Sequence, residues 1–243
     1  MTSPGISIVV PAYNEEKFLP ASLISINQAR AHFESATGLN SEVIVVNNDS
    51  TDATARVARE HSAVVVDHSV RNIASVRNAG IRSANYDLVV TIDADSFLPL
   101  DGLVKIRNFM GEGGYSGGAL GVKVISNRIY FRVAAVIVQT FVNWLSGIYG
   151  AMFFFRKDVA LEIGGFPETH LVAEDMAFAL AMHRYAQEKG MKFGKLKSVQ
   201  VGTLDRKDFD PRAIFVAAIQ ALRAFRGAKQ NAADLDYWYS PKR

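Results

Sequence analysis

The fold is decided by the stretch DLVVTIDADS, residues 87–96, in which an apolar run leads directly into two carboxylates. The unbroken apolar and β-branched run is typical of a strand buried on both faces, as in a parallel sheet. Asp93 and Asp95 follow at the carboxyl end of this strand, where ligands bind in open α/β sheets. Because Mg²⁺ and Mn²⁺ prefer oxygen ligands and are often held jointly with substrate phosphates, the stretch predicts a metal–diphosphate site. In the alternative interpretation, Asp95 or Ser96 is the N-cap of a helix that begins near Pro99.

The chain before this stretch alternates between short β-branched runs and segments with helical spacing. We predict strands at residues 6–10, 43–46 and 63–66 and helices at about 14–32, after the polar turn 47–52 to about 61, and 73–84. Such alternation indicates βαβ units with a parallel sheet. No G-x-G-x-x-G follows the first strand, so the dinucleotide-binding fingerprint is absent and a different phosphate-binding device is expected.

Composition narrows the class of protein. The 243 residues are 49% hydrophobic and 21% charged, which is typical of a globular chain and not of a disordered one. A formal net charge of +3 gives no argument for binding nucleic acid, and without cysteine there is neither a disulfide framework nor a thiolate metal site. The first residues show no basic region followed by an apolar run, so we expect no signal peptide and a cytoplasmic protein.

Several motifs occur in an order that resembles the family 2 glycosyltransferases of GT-A fold. They are IVVPAYNEE (8–16), VVNNDSTDAT (45–54), SVRNAG (75–80), DAD (93–95), GAMFFFRK (150–157), GGFP (164–167) and ED (174–175). The resemblance covers about residues 6–207 and implies an α/β fold with a Rossmann-like, mostly parallel sheet flanked by helices. It also implies one domain, 1–243, with a nucleotide-sugar-binding lobe (1–97), an acceptor and catalytic lobe (98–210) and a C-terminal amphipathic helix and tail (211–243).

The resemblance further implies a metal-dependent, inverting transfer of a sugar from a nucleotide-diphosphate donor. The donor-binding positions that it suggests are Pro11, Tyr13, Glu15, Asn47, Asn48, Asp49, Arg71, Arg77, Asp93, Ala94, Asp95 and Arg206, with Asp93 and Asp95 holding Mg²⁺ or Mn²⁺. The family usually carries two acidic residues where this chain has Asn47 and Asn48. Because an amide both accepts and donates, the identity of the base is left open. A plain turn with a helix cap at 47–52 and solvated surface positions for the arginines are the alternative interpretations.

On the acceptor side the resemblance assigns the catalytic carboxylates to Glu174 and Asp175. Asp175 is our candidate for the general base that takes the proton of the acceptor hydroxyl, and Glu174 would orient it or touch the acceptor. Because acidic residues also favour a helix N-terminus, simple capping is the alternative. Gly150 and Ala151 are the predicted acceptor-binding residues.

An uncharged run at residues 133–155 and a basic amphipathic helix from Pro211 suggest contact with a membrane. A single crossing at 133–155 would separate Asp95 from Asp175, so we predict a helix at 128–146 and a strand at 149–155 instead of a span. We therefore expect peripheral binding at the inner face of the membrane and a sugar or lipid-linked acceptor. In both segments, packing against the protein's own core is the alternative.

Two other functions fit parts of the sequence. A nucleotide-sugar-binding protein that has lost catalysis is disfavoured by the intact Asp93, Asp95 and Asp175. A nucleotidyltransferase usually opens with a glycine-rich, basic phosphate loop, which this chain lacks.

Overall fold

Strands and helices alternate strictly over residues 3–91, and after residue 91 the alternation is interrupted. A computed structural model describes the protein at residues 3–125, 152–169 and 174–204. The strands are β1 (Ser3–Ala12), β2 (Asn40–Asn47), β3 (Val64–Asp67), β4 (Tyr86–Thr91), β5 (Ser96–Phe97), β6 (Tyr115–Ile125), β7 (Phe153–Arg156) and β8 (Lys192–Leu204). The helices are α1 (Leu19–Thr37), α2 (Thr54–Glu60), α3 (Ile73–Ser83), α4 (Gly102–Gly111), α5 (Lys157–Glu162) and α6 (Glu174–Glu188).

The eight strands form one sheet in the order β3-β2-β1-β4-β7-β6-β8-β5. Strands β3, β2, β1 and β4 are mutually parallel, as the alternation predicts, and β6 is parallel to β8. Strand β7 is antiparallel to both β4 and β6, and β5 is antiparallel to β8. The predicted α/β fold with a mostly parallel sheet is therefore confirmed. The antiparallel β7 places the second half of the chain directly beside the strand that ends at the D-A-D motif.

The sheet is buried on both faces by helices. One face packs on α1, α2 and α4, and the other on α3, α5 and α6. Strand β7 shows the division, because Phe154 belongs to the first layer while Phe153 and Phe155 belong to the second. In the second layer the Phe178 ring of α6 lies 5.0 Å from the Phe155 ring and 4.0 Å from the stacked Phe166 ring, measured between centroids. Aromatic contacts thus anchor α6, which carries Glu174 and Asp175, to the sheet.

Helix α1 begins later than predicted. It starts at Leu19 and not at Asn14, because Asn14 has a φ of 53° and lies in a turn that the right-handed helix cannot include. The helix then runs beyond the predicted end at residue 32 and stops at Gly38, whose φ of 69° is the left-handed conformation common after helix C-termini.

The helix-cap interpretation of the D-A-D motif is wrong. Ser96 and Phe97 form strand β5 with Gly202 and Thr203 of β8, and the next helix begins only at Gly102 with Asp101 at its N-cap. Neither Asp95 nor Ser96 caps that helix. These carboxylates therefore need another explanation than local helix capping.

Other differences concern the second half. The strand predicted at 198–202 lies within the longer β8, and β6 and α5 had no counterpart in the prediction. The helices predicted at 128–146 and from residue 211 lie outside the described residues, as do Gly150, Ala151 and Arg206. Within the described ranges, no helix combines the length and apolar character that a membrane crossing requires.

Candidate donor and catalytic site

The loops that follow β1 and β2 are joined by hydrogen bonds at the carboxyl edge of the sheet. The backbone N–H of Thr51 donates to Asn14 Oδ1 at 2.8 Å, and the backbone N–H of Glu15 donates to Thr54 Oγ1 at 2.7 Å. Glu15 itself is buried beneath this junction. Because the strands are paired in register at their ends, the junction keeps Tyr13 beside the Asn47–Asn48 turn.

The two asparagines of the second motif have fixed amide orientations. Asn47 Nδ2 donates to Asp67 Oδ1 at 2.8 Å, and Asn48 Nδ2 donates to the carbonyl oxygens of His68 and Val70 at 3.0 and 2.9 Å. All three partners accept hydrogen bonds, so a flipped amide would set oxygen against oxygen. Asn48 thus has no amide hydrogen left and offers a ligand only its acceptor oxygen. The Oδ1 atom of Asn47 is the single buried side-chain polar atom in the described part of the chain without a hydrogen-bond partner.

Arg71 lies against both Tyr13, which is half-buried, and Asp49, which is exposed. The Arg71 guanidinium carbon lies 5.3 Å from the Tyr13 ring centroid, and its Nη2 lies 3.5 Å from Asp49 Oδ2. The side chains of Arg71 and Asp49 are 50% and 60% exposed. The structure therefore brings these three predicted donor residues together, while the solvated position proposed for Arg71 as the alternative also holds.

Arg77 joins the two acidic motifs. It lies on α3, whose first turn is capped by Asn72 Oδ1 accepting from the Ser75 N–H. Arg77 Nη1 lies 2.5 Å from Glu174 Oε1, and its Nη2 lies 3.2 Å from Asp93 Oδ1. Its side chain is only 7% exposed, so the solvated-surface interpretation of Arg77 is wrong.

The electrostatics of this cluster are unbalanced toward negative charge. Burial raises the pKa of Glu174 to about 7; the Asp175 charge adds to this effect, while Arg77 opposes it. Burial also raises the pKa of the Asp175 carboxyl against the opposing charge of Arg77, and Asp93 raises it further. For Arg77, burial acts to lower the pKa, but the charges of Glu174 and Asp93 outweigh it and hold the pKa above its ordinary value. One cation thus lies among three carboxylates, so a second positive charge nearby would be electrostatically favourable.

Asp93 and Asp95 have the donor atoms for a divalent cation. The Asp93 side chain is 41% exposed, and Asp95 Oδ1 lies 3.3 Å from Ser96 Oγ and 3.5 Å from Thr203 Oγ1. Among the residues that the structure describes, no three His, Cys, Asp or Glu side chains gather into a site that could hold a metal unaided. Two aspartates completed by phosphate oxygens of a substrate are the usual arrangement for Mg²⁺. The residues present therefore fit such an ion together with a diphosphate.

Glu174 and Asp175 occupy the first turn of α6, as predicted, but they are not equivalent. Glu174 is tied to Arg77, whereas Asp175 Oδ1 accepts from the Met176 backbone N–H at 2.7 Å. Helix capping therefore accounts for part of the position of Asp175 but not for that of Glu174. Arg77 donates its hydrogen bonds to Glu174 and Asp93, so Asp175 is the member of the pair that is available for proton transfer.

Asn78 was missed by the sequence reasoning. Its side chain receives the Phe166 N–H at 2.7 Å and donates to the Phe166 carbonyl at 2.8 Å and to Glu168 Oε1 at 3.0 Å. Gly165 has a φ of 76°, and a Cβ added there would lie 2.3 Å from Asn78 Oδ1. Asn78 thus holds the chain at Phe166 and Glu168. The adjacent R-N and G-G-F-P motifs were the available signal.

Ala94 is buried between the two aspartates, and Pro11 is buried in β1 beside them. Neither side chain offers a polar atom, so both would shape the site without donating to or accepting from a ligand.

Fold and site together define the GT-A class of α/β protein. The chain belongs to glycosyl transferase family 2, whose family model matches residues 7–165. It is 34% identical over 106 residues to an uncharacterized glycosyltransferase of Mycobacterium tuberculosis (strain ATCC 25618 / H37Rv), a match covering 44% of each chain. The chain spans about half the length of the curated relatives it matches.

Two solved structures are similar in fold. The mannosyltransferase from Pyrobaculum calidifontis in complex with GDP-Man and Mn²⁺ has a TM-score of 0.67 and 19% identity, covering 96% of this chain and 69% of that one. The structure of S. aureus TarS 1–349 in complex with UDP-GlcNAc has a TM-score of 0.66 and 18% identity, with the same coverage. At this level of identity the likeness concerns the fold alone.

Proposed function

We propose that the protein is a metal-dependent, inverting glycosyltransferase that moves a sugar from a nucleotide-diphosphate donor to an acceptor hydroxyl. The observation that carries the proposal is the buried Arg77, which contacts Asp93 of the donor-side motif and Glu174 of the acceptor-side pair. These carboxylates are distant in sequence but come together at the carboxyl edge of the sheet. This edge is where α/β proteins bind nucleotides.

Asp175 acts as the general base in this proposal. The acceptor hydroxyl loses its proton to the Asp175 carboxylate as its oxygen attacks the anomeric carbon, and the bond from that carbon to the diphosphate breaks. One displacement inverts the configuration, and the nucleoside diphosphate leaves. A raised pKa suits a base that works near neutral pH, because it makes the carboxylate a stronger proton acceptor. Glu174, held by Arg77, orients this end of α6.

Asp93 and Asp95 would hold Mg²⁺ or Mn²⁺ together with the diphosphate. When bound, the ion would supply positive charge to the departing diphosphate. The excess of carboxylates over cations around Arg77 supports this assignment, as does the Mn²⁺ in the mannosyltransferase of similar fold.

The base of the donor would lie between Tyr13 and the asparagine turn. Asn48 offers only an acceptor oxygen, so it suits a base whose ring carries an N–H, such as uracil or guanine. Adenine and cytosine present an unprotonated ring nitrogen at the corresponding position, so their ring cannot donate to this oxygen and only their exocyclic amino group could. The two similar structures contain one donor of each favoured kind, UDP-GlcNAc and GDP-Man.

The acceptor is proposed from the sequence. Gly150 and Ala151, Arg206 and the basic helix from Pro211 lie outside the described residues, so a sugar or lipid-linked acceptor and peripheral binding to the inner face of a membrane remain predictions. Carboxylates on both the donor and the acceptor side favour a transferase over a protein that only binds nucleotide-sugars.

A screen of nucleotide-sugars with Mg²⁺ or Mn²⁺ tests the function. A donor at about 100 times its Kd should add roughly 2.7 kcal/mol to the free energy of unfolding, which for a chain of this size is several degrees in Tm. Turnover should release a nucleoside diphosphate, whereas pyrophosphate would identify a nucleotidyltransferase. Asp95→Asn should keep the ligand-free Tm and lose the metal-dependent shift. If no nucleotide-sugar stabilises the wild type with either metal, the proposal is wrong.

A further inference from the structure

We propose that Arg77 is a positioning residue that couples the metal-binding aspartate to the catalytic pair, so that Glu174 controls metal affinity without touching the metal. The inference rests on the proposed function, because it assumes that Asp93 helps to hold a divalent ion. It assigns Arg77 a role through Asp93 in place of direct contact with the diphosphate.

The two ion pairs of Arg77 are unequal. Its Nη1 lies 2.5 Å from Glu174 Oε1, and the Glu174 side chain is 11% exposed. Its Nη2 lies 3.2 Å from Asp93 Oδ1, and the Asp93 side chain is 41% exposed. A guanidinium is planar and permanently charged, so the two nitrogens hold the carboxylates in a fixed relation. Glu174 is therefore the closer and more buried partner of Arg77, and Asp93 is the more distant and more exposed one.

The Arg77 guanidinium packs against the ring of Phe166, which is itself held by its neighbours. Its guanidinium carbon lies 5.3 Å from the centroid of the Phe166 ring, which supports it from one side. The Phe166 backbone is held by both polar atoms of the Asn78 side chain, and its ring is stacked on Phe178 at 4.0 Å. The positive charge is therefore fixed in place and has to be shared between its carboxylate partners.

A metal ion at Asp93 competes with Arg77 for the same carboxylate. While Glu174 is ionised, it neutralises much of the guanidinium charge, and Asp93 is left with a weak second contact that a metal can replace. If Glu174 is made neutral, Arg77 pairs fully with Asp93 and repels an incoming cation. Neutralising a residue of the catalytic pair should therefore weaken metal binding in the donor site.

The test measures Mn²⁺ affinity and not turnover. Mn²⁺ is titrated into full-length protein with saturating UDP or GDP, whichever the wild type binds, and free Mn²⁺ is followed by electron paramagnetic resonance. Glu174→Gln should raise the Mn²⁺ Kd by about fivefold or more, in the usual range for coupling between sites. Glu168→Gln is the matched control, since Glu168 is an exposed carboxylate bound to the neighbouring Asn78 and not to Arg77. It should change the Mn²⁺ Kd by less than about twofold, because exposed charges are strongly screened.

A second variant keeps the inference testable if Glu174→Gln unfolds. Arg77→Lys alone retains a positive charge but lacks the fork that bridges two carboxylates, so its ammonium should stay with the closer Glu174, release Asp93 and lower the Mn²⁺ Kd. An Arg77→Lys protein that binds Mn²⁺ no more tightly than the wild type would overturn the coupling. Equal Mn²⁺ affinity of wild type and Glu174→Gln, or an equal loss in Glu168→Gln, would overturn the coupling and leave the proposed function standing. A wild type that binds Mn²⁺ with neither nucleotide would overturn both.

Discussion

Asp175→Asn should remove the proposed transfer of the acceptor's proton and leave binding of the donor intact. The amide oxygen can keep the hydrogen bond from the Met176 N–H, and both ion pairs of Arg77 go to other residues. What the variant loses is the basicity of the carboxylate. General base catalysis contributes about 10²–10⁴-fold, so kcat should fall by that factor, which corresponds to roughly 2.7–5.4 kcal/mol in the activation barrier. The KM for the donor should barely change, because the donor-side contacts are intact.

The same change should not cost stability. Folding raises the pKa of Asp175, so between its unfolded and folded pKa values the folded protein binds more protons than the unfolded chain. The contribution of this group to stability therefore falls as the pH rises through that window. Since Asn carries no charge to desolvate, the variant should melt at or above the wild-type temperature at pH 8.

The assay is release of nucleoside diphosphate from the donor that the wild type turns over, with water and simple sugars as acceptors. Asp101→Asn is the control for the chemical change alone, because Asp101 is an exposed carboxylate on another helix, paired with Lys105. A kcat within a few-fold of wild type for Asp175→Asn would refute the reasoning and make Glu174 the next candidate for the base.

Two further predictions follow from the geometry of the site, and a third follows from the sequence beyond the described residues. Because burial raises the pKa of both carboxyls of the proposed catalytic pair, kcat/KM should fall on acidification at a higher pH than a free aspartate would give. Glu174→Gln removes a carboxylate that shares the Arg77 charge with Asp175, so it should move this acidic limb to lower pH; a pH–rate profile checks both. Calorimetry should find UDP or GDP binding while ADP and CDP bind weakly, with Asn48→Leu losing about tenfold or more through the missing acceptor. Arg223 and Arg226 belong to the basic face of the helix that the sequence predicts from Pro211. In vesicle flotation, the wild type should rise with anionic vesicles at low salt, and the double variant Arg223→Glu, Arg226→Glu should bind them more weakly; wild-type protein left at the bottom would favour a soluble acceptor.

The sequence alone determined the class of fold and indicated the edge of the sheet at which we propose the active site. The apolar run before Asp93 and the alternation of strand and helix patterns are local features, and local features decide which element forms. The order of the motifs likewise indicated the family, and it picked out Arg77, Asp93 and Glu174 as separate candidates without showing that they are in contact.

Tertiary structure decided which of these residues meet and what their groups can do. Strand β7 lies antiparallel between β4 and β6, and α6 is anchored by Phe178, so that Glu174 reaches Arg77 across the chain. No local sequence pattern encodes the contact between Glu174 and Arg77. The orientation of the Asn48 amide depends on carbonyl oxygens supplied by the turn after β3, and the pKa of Glu174 depends on burial by the assembled core. Hydrogen-bond polarity and desolvation belong to the packed environment, so only the folded chain could assign them.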